Sequence, residues 1–145
     1  MNIEYEIKRI KNKGLGIVTK QFIPKDHIIW VFKNDRNLIS IKDDDLNNYL
    51  NQYSEDKIID ILDHMYCFNK VCYDITNSDV KYTNHSNNPT SYIDMEGNSV
   101  ATRDIFIGEE ITEDYKLYDN YLENYYKLMQ KYKGDNWSEI PSNWE

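Results

Sequence analysis

Apolar positions follow two different periods along this chain. Ile3, Tyr5 and Ile7 alternate with polar residues, the period-two pattern of a half-buried strand. The turn Lys13-Gly14-Leu15-Gly16 should lead into a second strand over 17–19. The turn Ile23-Pro24-Lys25-Asp26 should lead into a third over 28–32, rich in β-branched and aromatic side chains. The period then lengthens: Leu46, Tyr49, Leu50 and Tyr53 recur at helical spacing behind Ser40 and three consecutive aspartates, which suit a helix N-terminus. Ser54-Glu55-Asp56 is the expected start of a second helix, with Ile58, Ile59, Ile61, Leu62 and Met65 on its apolar face.

From Tyr66 short strands are expected over 66–68, 71–74, 91–95 and 99–102, with Glu96-Gly97-Asn98 turning between the last two. After Tyr115 the helical period returns over 118–133 through Tyr121, Leu122, Tyr125, Leu128 and Met129. Gly134 ends it, and a tail carrying Trp137 and Trp144 follows. Residues 18–28 also align without gaps to residues 101–111, each reading as strand, turn, strand. With no third copy this is not a solenoid; it points to several small sheets closed by tight turns. The expected class is α+β, mostly β.

Length changes the picture only by limiting it: 145 residues suit one domain. An apolar content of 40% with 29% charged residues is that of a chain that folds alone. No apolar run approaches the roughly 20 residues of a membrane span, and Met1-Asn2-Ile3-Glu4 does not open a signal peptide, so an intracellular, soluble protein is expected, in cytoplasm or nucleus. A net charge of −8 disfavours direct nucleic-acid binding, which needs a positive face; it permits a cationic protein substrate without demanding one. Cys67 and Cys72 fit neither a paired zinc motif nor a disulfide framework, and two reduced, buried thiols are expected, with no metal. Abundant Asn, Ile, Lys and Tyr suggest an AT-rich genome, so surface Asn and Lys carry little functional signal.

Two stretches hold candidate chemistry. Asn84-His85-Ser86 lies among turn formers, and His85 is one of three histidines. His27 and His64 show no ligand spacing to it, and adjacent Ser86 and His85 seldom point at one place, so metal-binding and nucleophilic roles are weaker than a turn-stabilising one. Gly108-Glu109-Glu110-Ile111-Thr112-Glu113-Asp114-Tyr115 puts four carboxylates in six residues before a tyrosine. With thirteen tyrosines in the chain, any single one is more often packing than catalysis.

Taken together and in order, Lys13-Gly14-Leu15-Gly16, Asn84-His85-Ser86-Asn87-Asn88-Pro89 and Gly108-Glu109-Glu110-Ile111 to Asp114-Tyr115 resemble the SET domain, the family of S-adenosylmethionine-dependent protein lysine methyltransferases. The resemblance covers about residues 3 to 115. It is closest to small free-standing bacterial and viral members, which carry a similar Trp-x-Phe near Trp30-Val31-Phe32 and a similar Thr-Glu-Asp-Tyr ending.

The resemblance implies a β-clip-like fold of short curled sheets. In it a C-terminal segment threads beneath a loop in a knot-like crossing, bringing Asn84-His85 beside Tyr115. It also implies that methyl passes from S-adenosyl-L-methionine to a lysine ε-amine, leaving S-adenosyl-L-homocysteine. The cofactor would be held by Lys13, Gly14, Leu15, Gly16, Asn84, His85 and Tyr115. Tyr115 would orient the reacting groups and Tyr66, with Tyr73 as a weaker rival, would line the lysine channel. The implied partner is a lysine-containing protein or peptide, a histone tail among the candidates. A ribosomal or other basic protein, or a non-catalytic binding module, is the alternative, and a homodimer is left open.

The chain departs from the family at three places. Asn87 stands where Cys commonly follows Asn-His-Ser, and Glu113 stands where Phe or Tyr is usual and is linked to how many methyl groups fit. Residues 116–145 hold no cysteine, where many members carry a cysteine-rich segment. The expected division is therefore a SET domain over 1–117, with a helix and Trp-containing tail over 118–145 that closes the cofactor pocket through Trp137 or Trp144.

Overall fold

The computed structural model describes residues 1–117 and 122–137. In chain order its elements are β1 (Tyr5–Ile10), β2 (Gly14–Thr19), β3 (Ile28–Trp30), β4 (Ile39–Lys42), α1 (Leu46–Leu50), α2 (Glu55–Asp63), β5 (Tyr66–Phe68), β6 (Val71–Asp74), β7 (Asn84–His85), β8 (Ser91–Ile93), β9 (Ser99–Ala101), β10 (Glu110–Glu113) and α3 (Glu123–Lys133), with short 3₁₀ turns between them. The fold is α+β, three small sheets and three helices among the described residues. The chain forms two compact units. One comprises Met1–Asp35 with Tyr82–Lys116, the other Arg36–Lys81 with the described residues from Leu117 onward.

The first unit holds two sheets. In one, the strand order is β1-β2-β10-β7. β1 and β2 form an antiparallel hairpin from Tyr5↔Thr19 to Ile10↔Gly14. Its turn needs left-handed backbone at Asn12 (φ 68°) and Gly14 (φ 89°), which Asn and Gly adopt most readily. β10 lies antiparallel to β2 and parallel to the two-residue β7, pairing Thr112 with Asn84 and Glu113 with His85. The second sheet, β3-β9-β8, is antiparallel throughout. Ile17, Ile23, Ile29, Ala101, Ile105 and Ile111 form the core of this unit. Ile23 and Ile105, one from each of the two similar segments, pair across an isolated antiparallel bridge.

In the second unit, β4-β6-β5 is an antiparallel sheet. Its core gathers Ile41, Leu46, Leu50, Ile61, Leu62 and Cys72 with Tyr125, Leu128 and Met129 of α3. Each such large apolar side chain contributes about 1.5–3 kcal/mol when fully buried. Ser54 caps α2, its Oγ accepting from the Lys57 N–H at 3.4 Å.

Four expectations need correction. Residues 39–42 form β4, not the approach to a helix. The helix behind them, α1, is only five residues long, and its N-cap Asp45 makes no side-chain cap bond. Asp43 serves a different helix: it accepts from the backbone N–H groups of Asn124 (2.9 Å) and Tyr125 (3.0 Å), capping α3 from eighty residues upstream in sequence. Asn84-His85 is a strand, not a turn, because its partner β10 arrives from far along the chain. β3 also stops at Trp30, where the chain enters a 3₁₀ turn over Phe32–Asn34. The expected helix start and Tyr121 lie at 118–121, outside the described residues.

Candidate active site

The first unit brings together the hairpin turn, β7 and the end of β10. Lys13, at the turn, extends its Nζ to donate to the backbone carbonyl of His85 at 2.9 Å, and the same Nζ lies 3.6 Å from Glu110 Oε1. The pair is well shielded, with side chains 11% and 15% exposed, so the attraction is screened less than on an open surface. Asn84 Nδ2 donates both to the Leu15 carbonyl (3.0 Å) and to Glu110 Oε2 (2.7 Å). One carboxylate thus ties turn, β7 and β10 into a single polar cluster.

Gly16 sits against that cluster. A Cβ there would lie 2.6 Å from Glu110 Oε2 and from Ile10 Cγ1, and 2.8 Å from Asn84 Nδ2. Only a residue without Cβ lets the strand approach this closely. At Gly14 the situation is opposite: an added Cβ would meet nothing within 4 Å, so the backbone faces open space.

His85 is fully buried. Its Nδ1 accepts the backbone N–H of Tyr115 at 3.1 Å, so its ring proton belongs on Nε2, which lies 3.0 Å from Asn87 Oδ1 and donates to it. Asp114 Oδ1 is 3.7 Å from the same Nδ1, too far for a hydrogen bond and facing a nitrogen that already accepts. The Tyr115 ring lies against the imidazole, with centroids 5.4 Å apart at 55°. Its hydroxyl donates to the Thr83 carbonyl at 2.5 Å. Burial, with the Glu113 and Glu110 carboxylates adding to it, pushes that hydroxyl well above the ordinary phenol value. Tyr115 therefore stays protonated at neutral pH. With its proton given to Thr83, its oxygen meets any further group as an acceptor.

Glu113 does not turn outward. It is buried, and burial pushes its carboxyl up to about 7 against the opposing effect of a hydrogen bond from Ser99. Near neutral pH it is divided between acid and carboxylate.

The residues expected to hold a cofactor, Lys13, Gly14, Leu15, Gly16, Asn84, His85 and Tyr115, all belong to this one unit. Tyr66 belongs to the second unit, buried in β5 with its ring stacked beside Phe68 (6.1 Å, 5°) and tilted to Tyr73 (6.1 Å). Trp137 also belongs there, edge-on to Tyr125 (5.9 Å) and Tyr126 (5.7 Å); Trp144 lies outside the described residues. Sequence reasoning missed Glu110, Thr83 and the part played by Asn87. In the sequence Glu110 belongs to the acidic run and to the Gly108–Ile111 motif but carries no role of its own. The 3.0 Å bond from His85 gives Asn87 a use that its place among turn formers conceals.

Open backbone at Gly14 lies beside a strand pressed close at Gly16, and a buried amide and imidazole are held in fixed orientations. No helix among the described residues is long and apolar enough to cross a membrane. Compared with protein families, the chain matches the SET domain over residues 14–116. Members of that family are generally protein lysine methyltransferases and typically bind S-adenosylmethionine. No curated protein matches the chain.

Proposed function

Because the chain belongs to the SET-domain family, we propose that it is an S-adenosylmethionine-dependent methyltransferase acting on the ε-amine of lysine in a basic protein, with histone tails as the first candidate substrate. The observation that carries this reading is Tyr115: a protonated, half-buried tyrosine whose backbone is tied to His85 and whose hydroxyl is tied to Thr83. Such a hydroxyl has one fixed direction in which to accept, which is what alignment for transfer requires.

Lys13 to Gly16, Asn84, His85 and Tyr115 would hold the cofactor, which when bound supplies an electrophilic methyl group on a sulfonium. The chain's own part is positional. The lysine amine must lose its proton before it can attack; its ordinary pKa of about 10.4 falls in a dry site beside a positive charge, so no strong base is obligatory. The Tyr115 oxygen, as acceptor, orients an amine N–H or a polarised C–H. Family likeness alone assigns the wall of the lysine channel to Tyr66. The chain's net charge of −8 favours approach of a lysine-rich substrate, whether histone or ribosomal.

The test is incubation of the protein with methyl-labelled S-adenosylmethionine and, separately, histones, ribosomal proteins and a cell lysate, followed by amino-acid analysis. Label recovered as methyllysine is the expected result. Cofactor bound without transfer to any of these would identify a binding module instead.

A further inference from the structure

We propose that Cys67 and Cys72 are a latent disulfide site, closed reversibly by a peroxide or by a small-molecule disulfide. The argument lies within the β5–β6 hairpin and does not depend on the methyltransferase reading. Asn69 (φ 51°) and Lys70 (φ 64°) are both left-handed, the backbone of a two-residue type I′ turn. Such a turn is closed by the hydrogen-bonded pair on either side of it, here Phe68 and Val71. Antiparallel pairs alternate, so the next one, Cys67↔Cys72, occupies the non-hydrogen-bonded position, where facing Cα atoms come within about 4.5 Å and side chains are nearest. That separation lies at the short end of the range a disulfide spans.

The side chains already face each other: Cys67 Sγ and Cys72 Sγ are 3.7 Å apart, both thiols reduced. Side-chain rotation within a hairpin whose register is set can bring them to the bonding distance of about 2.0 Å. Access distinguishes the two. Cys72 is fully buried in the central strand, whereas Cys67 is 6% exposed on β5, the edge strand of its sheet, where fraying uncovers it first. Cys67 is therefore the attacking thiol.

With hydrogen peroxide, the Cys67 thiolate attacks one peroxide oxygen, an S–O bond forms, the O–O bond breaks, and hydroxide leaves to take up the thiol proton as water. The Cys72 thiolate then attacks the Cys67 sulfur, the S–S bond forms, the S–O bond breaks, and a second water leaves. Two thiols are oxidised, one peroxide is reduced to two waters, and the protein loses two hydrogens. With oxidised glutathione the Cys67 thiolate instead attacks one sulfur and expels one glutathione thiolate, and the Cys72 thiolate then attacks the Cys67 sulfur and expels the other, so one glutathione disulfide is reduced to two thiols.

The test uses the full chain, shown to be folded by circular dichroism, exposed to hydrogen peroxide or oxidised glutathione, then unfolded in excess N-ethylmaleimide and weighed by mass spectrometry. The expected product is a monomer lighter by two hydrogens that takes no maleimide. After dithiothreitol it should take two. Cys72→Ser should abolish the loss of two hydrogens and leave Cys67 to react with a sulfenic-acid trap. Two maleimides on the oxidised protein, disulfide-linked dimers or sulfinic acid as the main product would overturn the proposal. So would persistence of the two-hydrogen loss in Cys72→Ser, which would mean a ring closure onto backbone nitrogen.

Discussion

The backbone N–H of Tyr115 donates to Nδ1 of His85 at 3.1 Å across thirty residues of sequence, and this bond fixes which nitrogen of a fully buried imidazole carries the proton. The histidine is thus an acceptor for one segment and a donor to Asn87 on the other side. His85→Leu keeps the volume but strands the Tyr115 N–H, at a cost of about 1–3 kcal/mol in urea unfolding. Asn87→Ala, at an exposed position, should cost clearly less than His85→Leu.

Glu113 should make stability depend on pH in a direction unusual for a carboxylate. The unfolded chain ionises this group near 4.5, while the folded chain holds the proton until about 7. Between those values the native state binds more protons, so raising the pH favours unfolding, and stability falls by about 3 kcal/mol across the window. Glu113→Gln should flatten the urea-unfolding midpoint between pH 4.5 and 7; an unchanged slope would place the dependence elsewhere.

Gly16→Ala tests the close packing at the hairpin. The new Cβ would fall within 2.8 Å of three side-chain atoms, and Glu110 cannot swing aside without leaving Asn84 and Lys13. The expected cost is about 1–3 kcal/mol, with cofactor affinity reduced in calorimetry. Gly14→Ala separates space from backbone conformation, because there the room is free and only the left-handed φ of 89° resists.

Asp43→Ala should loosen α3 by about 1 kcal/mol or somewhat more, because two backbone N–H groups lose their acceptor at once. Hydrogen exchange of the first turn of α3 is the sensitive readout, and protection there should fall more than in α2.

Much of this fold can be read directly from the chain. The β5–β6 hairpin and the Ser54 cap fall where the pattern puts them, since both depend on neighbours within a few residues. What escapes is long-range pairing. The two-residue β7 is too short to show any period and exists only because β10 lies beside it. Asp43–Asp45 look like a cap for the helix that follows, yet Asp43 caps one eighty residues later. The site follows the same division: His85 and Tyr115 stand out within their motifs, whereas Glu110 becomes a site residue only when the sheet brings it to Asn84 and Lys13.

The central claim concerns the Tyr115 hydroxyl, whose bond to Thr83 fixes the direction in which it accepts. The most direct measurement is transfer of labelled methyl to substrate lysine by Tyr115→Phe beside the unaltered protein, with cofactor affinity determined in parallel by calorimetry. The account predicts that the variant binds S-adenosylmethionine within a few-fold of the parent while transfer falls by at least 100-fold, a loss of about 3 kcal/mol in transition-state stabilisation. Transfer at the parent rate by Tyr115→Phe, or transfer to a residue other than lysine, would contradict it.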